Sequence, residues 1–106
     1  MEKICEVSNP ELVLKQLKKY YGGDVDLYLS SSKHKKYMVF DEQGKKVHFG
    51  SILYQDHTTH QDKQRSENYL KRASKIKGNW KHNPFSSNML SIILLWDGYD
   101  YLKLKN

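Results

Sequence analysis

The chain has one cysteine, two prolines, six scattered glycines and no long apolar run. Each shortage excludes something. With Cys5 alone, an intrachain disulfide and a multi-cysteine zinc site are both ruled out, and a reducing compartment fits best. No glycine-rich phosphate loop is present, and no cofactor is expected. The longest apolar stretch, Met89–Trp96, is interrupted by Ser91 and falls well short of the ~20 residues that span a bilayer. Met1-Glu2-Lys3-Ile4-Cys5-Glu6 has no apolar core of signal-peptide length. A soluble protein that is not secreted is therefore expected.

What is present is aromatic and basic. Eight tyrosines, three phenylalanines and two tryptophans offset a modest hydrophobic fraction of 38%, because each buries much apolar area. The 106 residues suit a single domain over 1–106, burying roughly two-thirds of the surface exposed on unfolding. Net charge is +6, and from Lys63 to Lys81 seven bases stand against Glu67 alone, so this window equals the whole excess. A second basic cluster is Lys33-His34-Lys35-Lys36. Such patches attract polyanions through long-range fields and counterion release, although charge runs also serve as solvated faces.

Ser8-Asn9-Pro10-Glu11 predicts a helix start, with a capping side chain, proline at the first helical position and an acid at the positive end of the dipole. Val13, Leu17, Tyr20 and Tyr21 recur at helical spacing until Gly22-Gly23. Val25, Leu27 and Leu29 alternate as a strand does, and Lys36–Asp41 alternates again. Glu42-Gln43-Gly44-Lys45 is a turn, and Lys46–Phe49 is the returning strand. After a polar turn, Thr58 or Thr59 is a candidate cap for a helix from about His60 to Ile76, closed by Gly78. Met89–Trp96 suits a buried strand by length and a short helix by its serine caps, the helix being preferred. Tyr99–Lys105 reads as a terminal strand or extended tail. The expected fold is α+β: a three-stranded antiparallel meander packed by an N-terminal helix and a basic central helix.

Function concentrates between His48 and Trp80. Asp56, His57, His60 and Asp62 are a histidine–carboxylate cluster of the kind that binds divalent ions, and such an ion activates water for phosphodiester hydrolysis. No HExxH or comparable motif accompanies it. The competing reading makes Asp56, Thr58 and His60 acceptors for free backbone N–H groups at a turn and helix start. Asp62, Arg65, Tyr69 and Arg72 are spaced to share one helical face, which suits either phosphate binding with base stacking or packing on the sheet. His48 reads as a sheet-face histidine with one hydrogen bond, and Trp80 as a core anchor. No nucleophile–base pair is evident, so no catalytic residue is assigned.

One string runs through this region: His48-Phe49-Gly50; Tyr54, Asp56, Thr58, His60 and Asp62; Arg65, Tyr69 and Arg72; Asn79-Trp80; Leu94-Leu95-Trp96. In order and spacing it resembles a family of small, uncharacterised proteins of giant nucleocytoplasmic large DNA viruses. The resemblance covers about residues 36–96 and runs without a gap from Tyr54 to Trp80. Two features depart from it. Ala73 stands where that family usually has histidine. Asn88, Met89 and Ile92 replace its glycine and extra aromatics. The resemblance implies a viral setting, in the virion or inside the infected cell, and carries no established activity.

The expectation that follows is a non-enzymatic basic viral protein acting by binding, a virion or assembly component. Lys63, Arg65, Lys71, Arg72, Lys75, Lys77, Lys35 and Lys36 would meet nucleic acid or an acidic protein surface. His48, Asp56, Thr58, His60, Asp62, Tyr69 and Trp80 would fix the strand-to-helix junction. Two alternatives stand beside it: a minor capsid-type structural protein without a nucleic-acid role, and a metal-dependent nuclease-like enzyme using Asp56, His60 and Asp62. A place in an oligomer or larger assembly is compatible with the first two readings.

Overall fold

The computed structural model describes residues 2–105, and side chains from Ile4 to Leu102. The N-terminal helix forms where its local chemistry demands. Asn9 accepts the Leu12 N–H, Pro10 opens helix α2 (Pro10–Tyr21), and Lys18 and Lys19 lie at its negative end. Val13 and Leu17 are fully buried, each contributing roughly 1.5–3 kcal/mol, so packing outweighs the cap in holding this helix. A short helix not anticipated from the sequence, α1 (Glu2–Val7), precedes it and buries Ile4.

Three strands follow as an open antiparallel sheet in the order β1-β2-β3: β1 (Tyr28–Leu29), β2 (Lys35–Phe40) and β3 (Lys46–Ser51). Tyr37 pairs with Phe49, Met38 with His48 and Val39 with Val47, so the hairpin register puts Tyr37, Val39 and Phe49 together in the core. The first strand is shorter than the expected span from Val25. Val25 and Leu27 lean on the core as partly buried side chains without entering the ladder, which mimics strand alternation.

The expected helix from about His60 to Ile76 forms over the shorter span 63–73, and a separate one-turn helix precedes it. Asp56 caps α3 (His57–His60), Gln61 turns left-handed at φ +55°, and Asp62 caps α4 (Lys63–Ala73). The aspartates, rather than Thr58 or Thr59, supply the caps, because each carboxylate accepts N–H bonds at a separate helix start. The chain then passes a 3₁₀ turn at Trp80–His82 into α5 (Ser87–Leu90), which continues as a π-helical stretch over Ser91–Leu95. All five residues of that stretch are buried, and α2, the sheet and α5 pack around it. The preference for a helix there holds.

The C-terminal segment is also helical, α6 (Tyr99–Lys105), not a strand or tail. Asp97 and Gly98 reverse the chain, Gly98 N–H bonds to the Ile92 carbonyl, and Leu102 drops into the core. The result is an α+β unit with six α-helices and one three-stranded sheet among the described residues. None of those helices is long and apolar enough to cross a membrane.

Candidate functional site

A buried polar network organises the junction between sheet and helices. Lys36 Nζ donates to Asp56 Oδ2 at 2.9 Å. The other carboxylate oxygen accepts the Thr58 N–H at 2.9 Å and the Thr58 hydroxyl. Thr58 Oγ1 in turn accepts Asn9 N–H at 2.9 Å and lies 3.2 Å from Ser8 Oγ. Tyr37 closes the chain by donating to Ser8 Oγ at 2.7 Å. The Asp56 N–H itself bonds the Val7 carbonyl. One cluster thus ties the α1–α2 junction, the central strand and the start of α3 together, with Asp56 fully buried.

This corrects the expected place of Lys36. It is 3% exposed and held inward, so it is no surface contact. Burial lowers its pKa from the ordinary lysine value, and the Asp56 carboxylate acts against that fall. The alternative metal site is not assembled either. Asp56 is committed to Lys36 and Thr58, His60 Nδ1 accepts the Asp62 N–H at 2.9 Å, and Asp62 caps α4. Among the described residues no group of three or more His, Cys, Asp or Glu side chains is placed to hold a metal ion. His57 Nδ1 and His60 Nε2 are buried without a hydrogen-bond partner, but two imidazoles fall short of a ligand set.

The remaining junction residues take structural positions. His48 Nδ1 lies 2.7 Å from Ser30 Oγ. Trp80 is 9% exposed, and its indole N–H donates to the Ile76 carbonyl at 2.7 Å. Tyr69 packs half-buried against the core. Its ring stacks on Trp96 with centroids 4.2 Å apart at 12°, and His60 sits 5.2 Å from the same indole. Burial pushes the Tyr69 phenol up to about 12, so it stays neutral at physiological pH.

Above this junction lies a cleft of about 680 Å³ between the sheet edge and α4. One wall carries Lys35, Tyr54 and Gln55, and the other Arg65, Asn68 and Arg72. Buried Ala73, Ser91 and Leu95 form its floor. The helical face read from the spacing of Arg65, Tyr69 and Arg72 is therefore a cleft wall. Lys63, Lys71, Lys75 and Lys77 are exposed and do not line it.

The electrostatics of the cleft are one-sided. Among the described residues no aspartate or glutamate lines it. Among the described residues the single ion pair is Lys36–Asp56, so Arg65, Arg72 and Lys35 have no carboxylate partner. Unpaired guanidinium groups in a concave site are suited to a phosphate or carboxylate, which they bind through paired N–H donors. The opposite wall, Lys35 and Tyr54, was not legible from the helix alone, because only the hairpin topology brings it across from α4.

The profile of a family of unknown function, DUF5754, matches residues 25–73 of this chain. That span runs from β1 through α4 and contains both cleft walls. No curated protein and no solved structure matches significantly.

Proposed function

We propose that this chain is a non-enzymatic, small basic viral protein that works by binding, a virion or assembly component that contacts nucleic acid through α4 and the adjoining cleft. The observation that carries this reading is the trio Arg65, Arg72 and Lys35 around a cleft that no carboxylate lines among the described residues. Lys63, Lys71, Lys75 and Lys77 extend the positive field outside it. Lys36 is left out of the contact set, because its charge is consumed by Asp56. The viral setting rests on the signature string within residues 36–96, and a location in the virion or infected-cell interior goes with it.

The test is a salt series of anisotropy titrations of the full chain against labelled oligonucleotides and an acidic polypeptide. Nucleic-acid affinity falls steeply with salt, and Arg65→Ala/Arg72→Ala flattens the log–log slope by about one to two. Binding to the acidic polypeptide alone would move the contact to a protein surface. Binding to neither would overturn the reading in favour of a purely structural capsid-type role.

A further inference from the structure

Resting on that reading, we infer that the cleft accepts a single strand, with the backbone between its arginines and Lys35 and one unstacked base against Tyr54, and that duplex is held outside.

Shape argues first. A volume of about 680 Å³ falls within the ~300–1,000 Å³ range of sites that enclose a small ligand. A paired duplex presents its phosphates on a convex surface and keeps its base faces covered. It can touch the rim but cannot fill a concavity. A single strand can turn a nucleotide inward.

The side chains match such a nucleotide. Arg65 and Arg72 stand about 10 Å apart along the helix axis, at ~1.5 Å rise per residue, so they reach different phosphates. Tyr54 is 66% exposed on the facing wall, and Ile76 on the helix side is 54% exposed. Among the described residues the Tyr54 ring has no aromatic partner, whereas Tyr69 is already stacked on Trp96. A free aromatic face beside unpaired arginines is what stacking of unpaired bases requires.

The two amides of the cleft complete the pattern. Gln55 Nε2 donates to the Glu6 carbonyl, which leaves its amide oxygen as a free acceptor. Asn68 Oδ1 accepts from Gln64, which leaves its amide NH₂ as a free donor. A base edge offers both kinds of group, and so can be met by this pair. The larger groove elsewhere on the molecule, about 860 Å³, is aromatic too, but Asp24 and Glu42 against Lys81 alone make its lining net acidic and less suited to phosphate.

The deciding experiment compares single-stranded and duplex oligonucleotides of equal length, binding to the full chain at matched salt. The single strand binds at least about ten-fold tighter. Tyr54→Ala costs it about ten-fold, the usual scale of one base–aromatic stack, and leaves duplex binding unchanged. Tyr54→Phe retains the preference. Because Tyr54 is exposed, circular dichroism shows both variants folded. Equal or tighter duplex binding, or a Tyr54→Ala loss shared by both, overturns the single-strand inference while nucleic-acid binding stands. No binding to either form removes the underlying proposal as well.

Discussion

Lys36 and Asp56 lie twenty positions apart and meet at 2.9 Å, with side chains 2% and 0% exposed. Breaking a buried pair strands the surviving charge in a low-dielectric interior, which costs about 3–5 kcal/mol. Lys36→Met is therefore expected to lower stability by that amount in urea unfolding. Lys36→Met/Asp56→Asn recovers part of the loss, because the neutral amide still accepts the Thr58 N–H. An undiminished loss in the double variant would mean that packing of the lysine stem, not the stranded charge, holds the junction.

The cap at Asp62 is a smaller and separable effect. Its carboxylate accepts the N–H groups of Gln64 at 3.0 Å and Arg65 at 3.2 Å, and it is exposed. Asp62→Ala is expected to cost about 1 kcal/mol, and Asp62→Asn much less, since asparagine caps comparably. The cap also fixes the first turn of α4, where Arg65 stands. Asp62→Ala thus weakens oligonucleotide binding more than Asp62→Asn does, measured side by side with the unfolding midpoints. Equal binding by the two variants would separate the cap from the cleft.

Much of the fold was legible where the determining contacts are local. Asn9-Pro10-Glu11 with Val13 and Leu17 specifies α2, and the hairpin over 36–49 follows from alternation around Gly44. The face of Arg65, Tyr69 and Arg72 was readable as one stripe, though not what it faced. What escaped was non-local. Lys36 looked like a surface base because its partner lies beyond the hairpin. Asp56 and Asp62 each start a helix, yet Thr58 and Thr59 were equally plausible caps by sequence. Tyr99–Leu102 became helical because Gly98 bonds back to Ile92, a contact that no local periodicity announces.

The junction should respond to acid through His60. Its pKa in the fold is lowered from 6.5, by burial first and then by the nearby positive charges of Arg65 and His57. The unfolded chain therefore takes up this proton more readily. The contribution to stability is complete above pH 6.5 and is lost as pH falls below that value toward the lower folded pKa. Protonation of Nδ1 would also remove the acceptor for the Asp62 N–H, exposing the start of α4. His60→Asn keeps an acceptor there and removes the titration. Urea midpoints across mildly acidic pH are expected to fall less in this variant than in the parent. Identical slopes would assign the acid sensitivity to other groups.

Two glycines make a steric prediction about the C-terminal core. A Cβ on Gly98 would lie 2.5 Å from Ile92 Cγ2, 2.5 Å from Leu70 Cδ2 and 3.0 Å from the Ile92 carbonyl. The last neighbour is backbone, held by the Gly98 N–H bond to it at 2.8 Å, so it cannot step aside without breaking that bond. Gly98→Ala is expected to destabilise by about 1–3 kcal/mol, or several degrees in Tm. Gly50 sits at φ +82°, and a Cβ there would lie 2.7 Å from Leu95 Cδ1 and 3.2 Å from Lys36 Cδ. Gly50→Ala adds left-handed backbone strain to a displacement of the buried lysine. It should therefore lower Tm and, by shifting the sheet-side wall, oligonucleotide affinity together. Gly98→Ala strains Leu70 and Ile92 instead, so its Tm falls without a direct clash on the sheet-side wall. Gly23→Ala, with nothing within 4 Å of the added carbon, serves as the silent control. A Gly50→Ala protein that binds as the parent does would show that the wall is not held by Lys36 and Gly50.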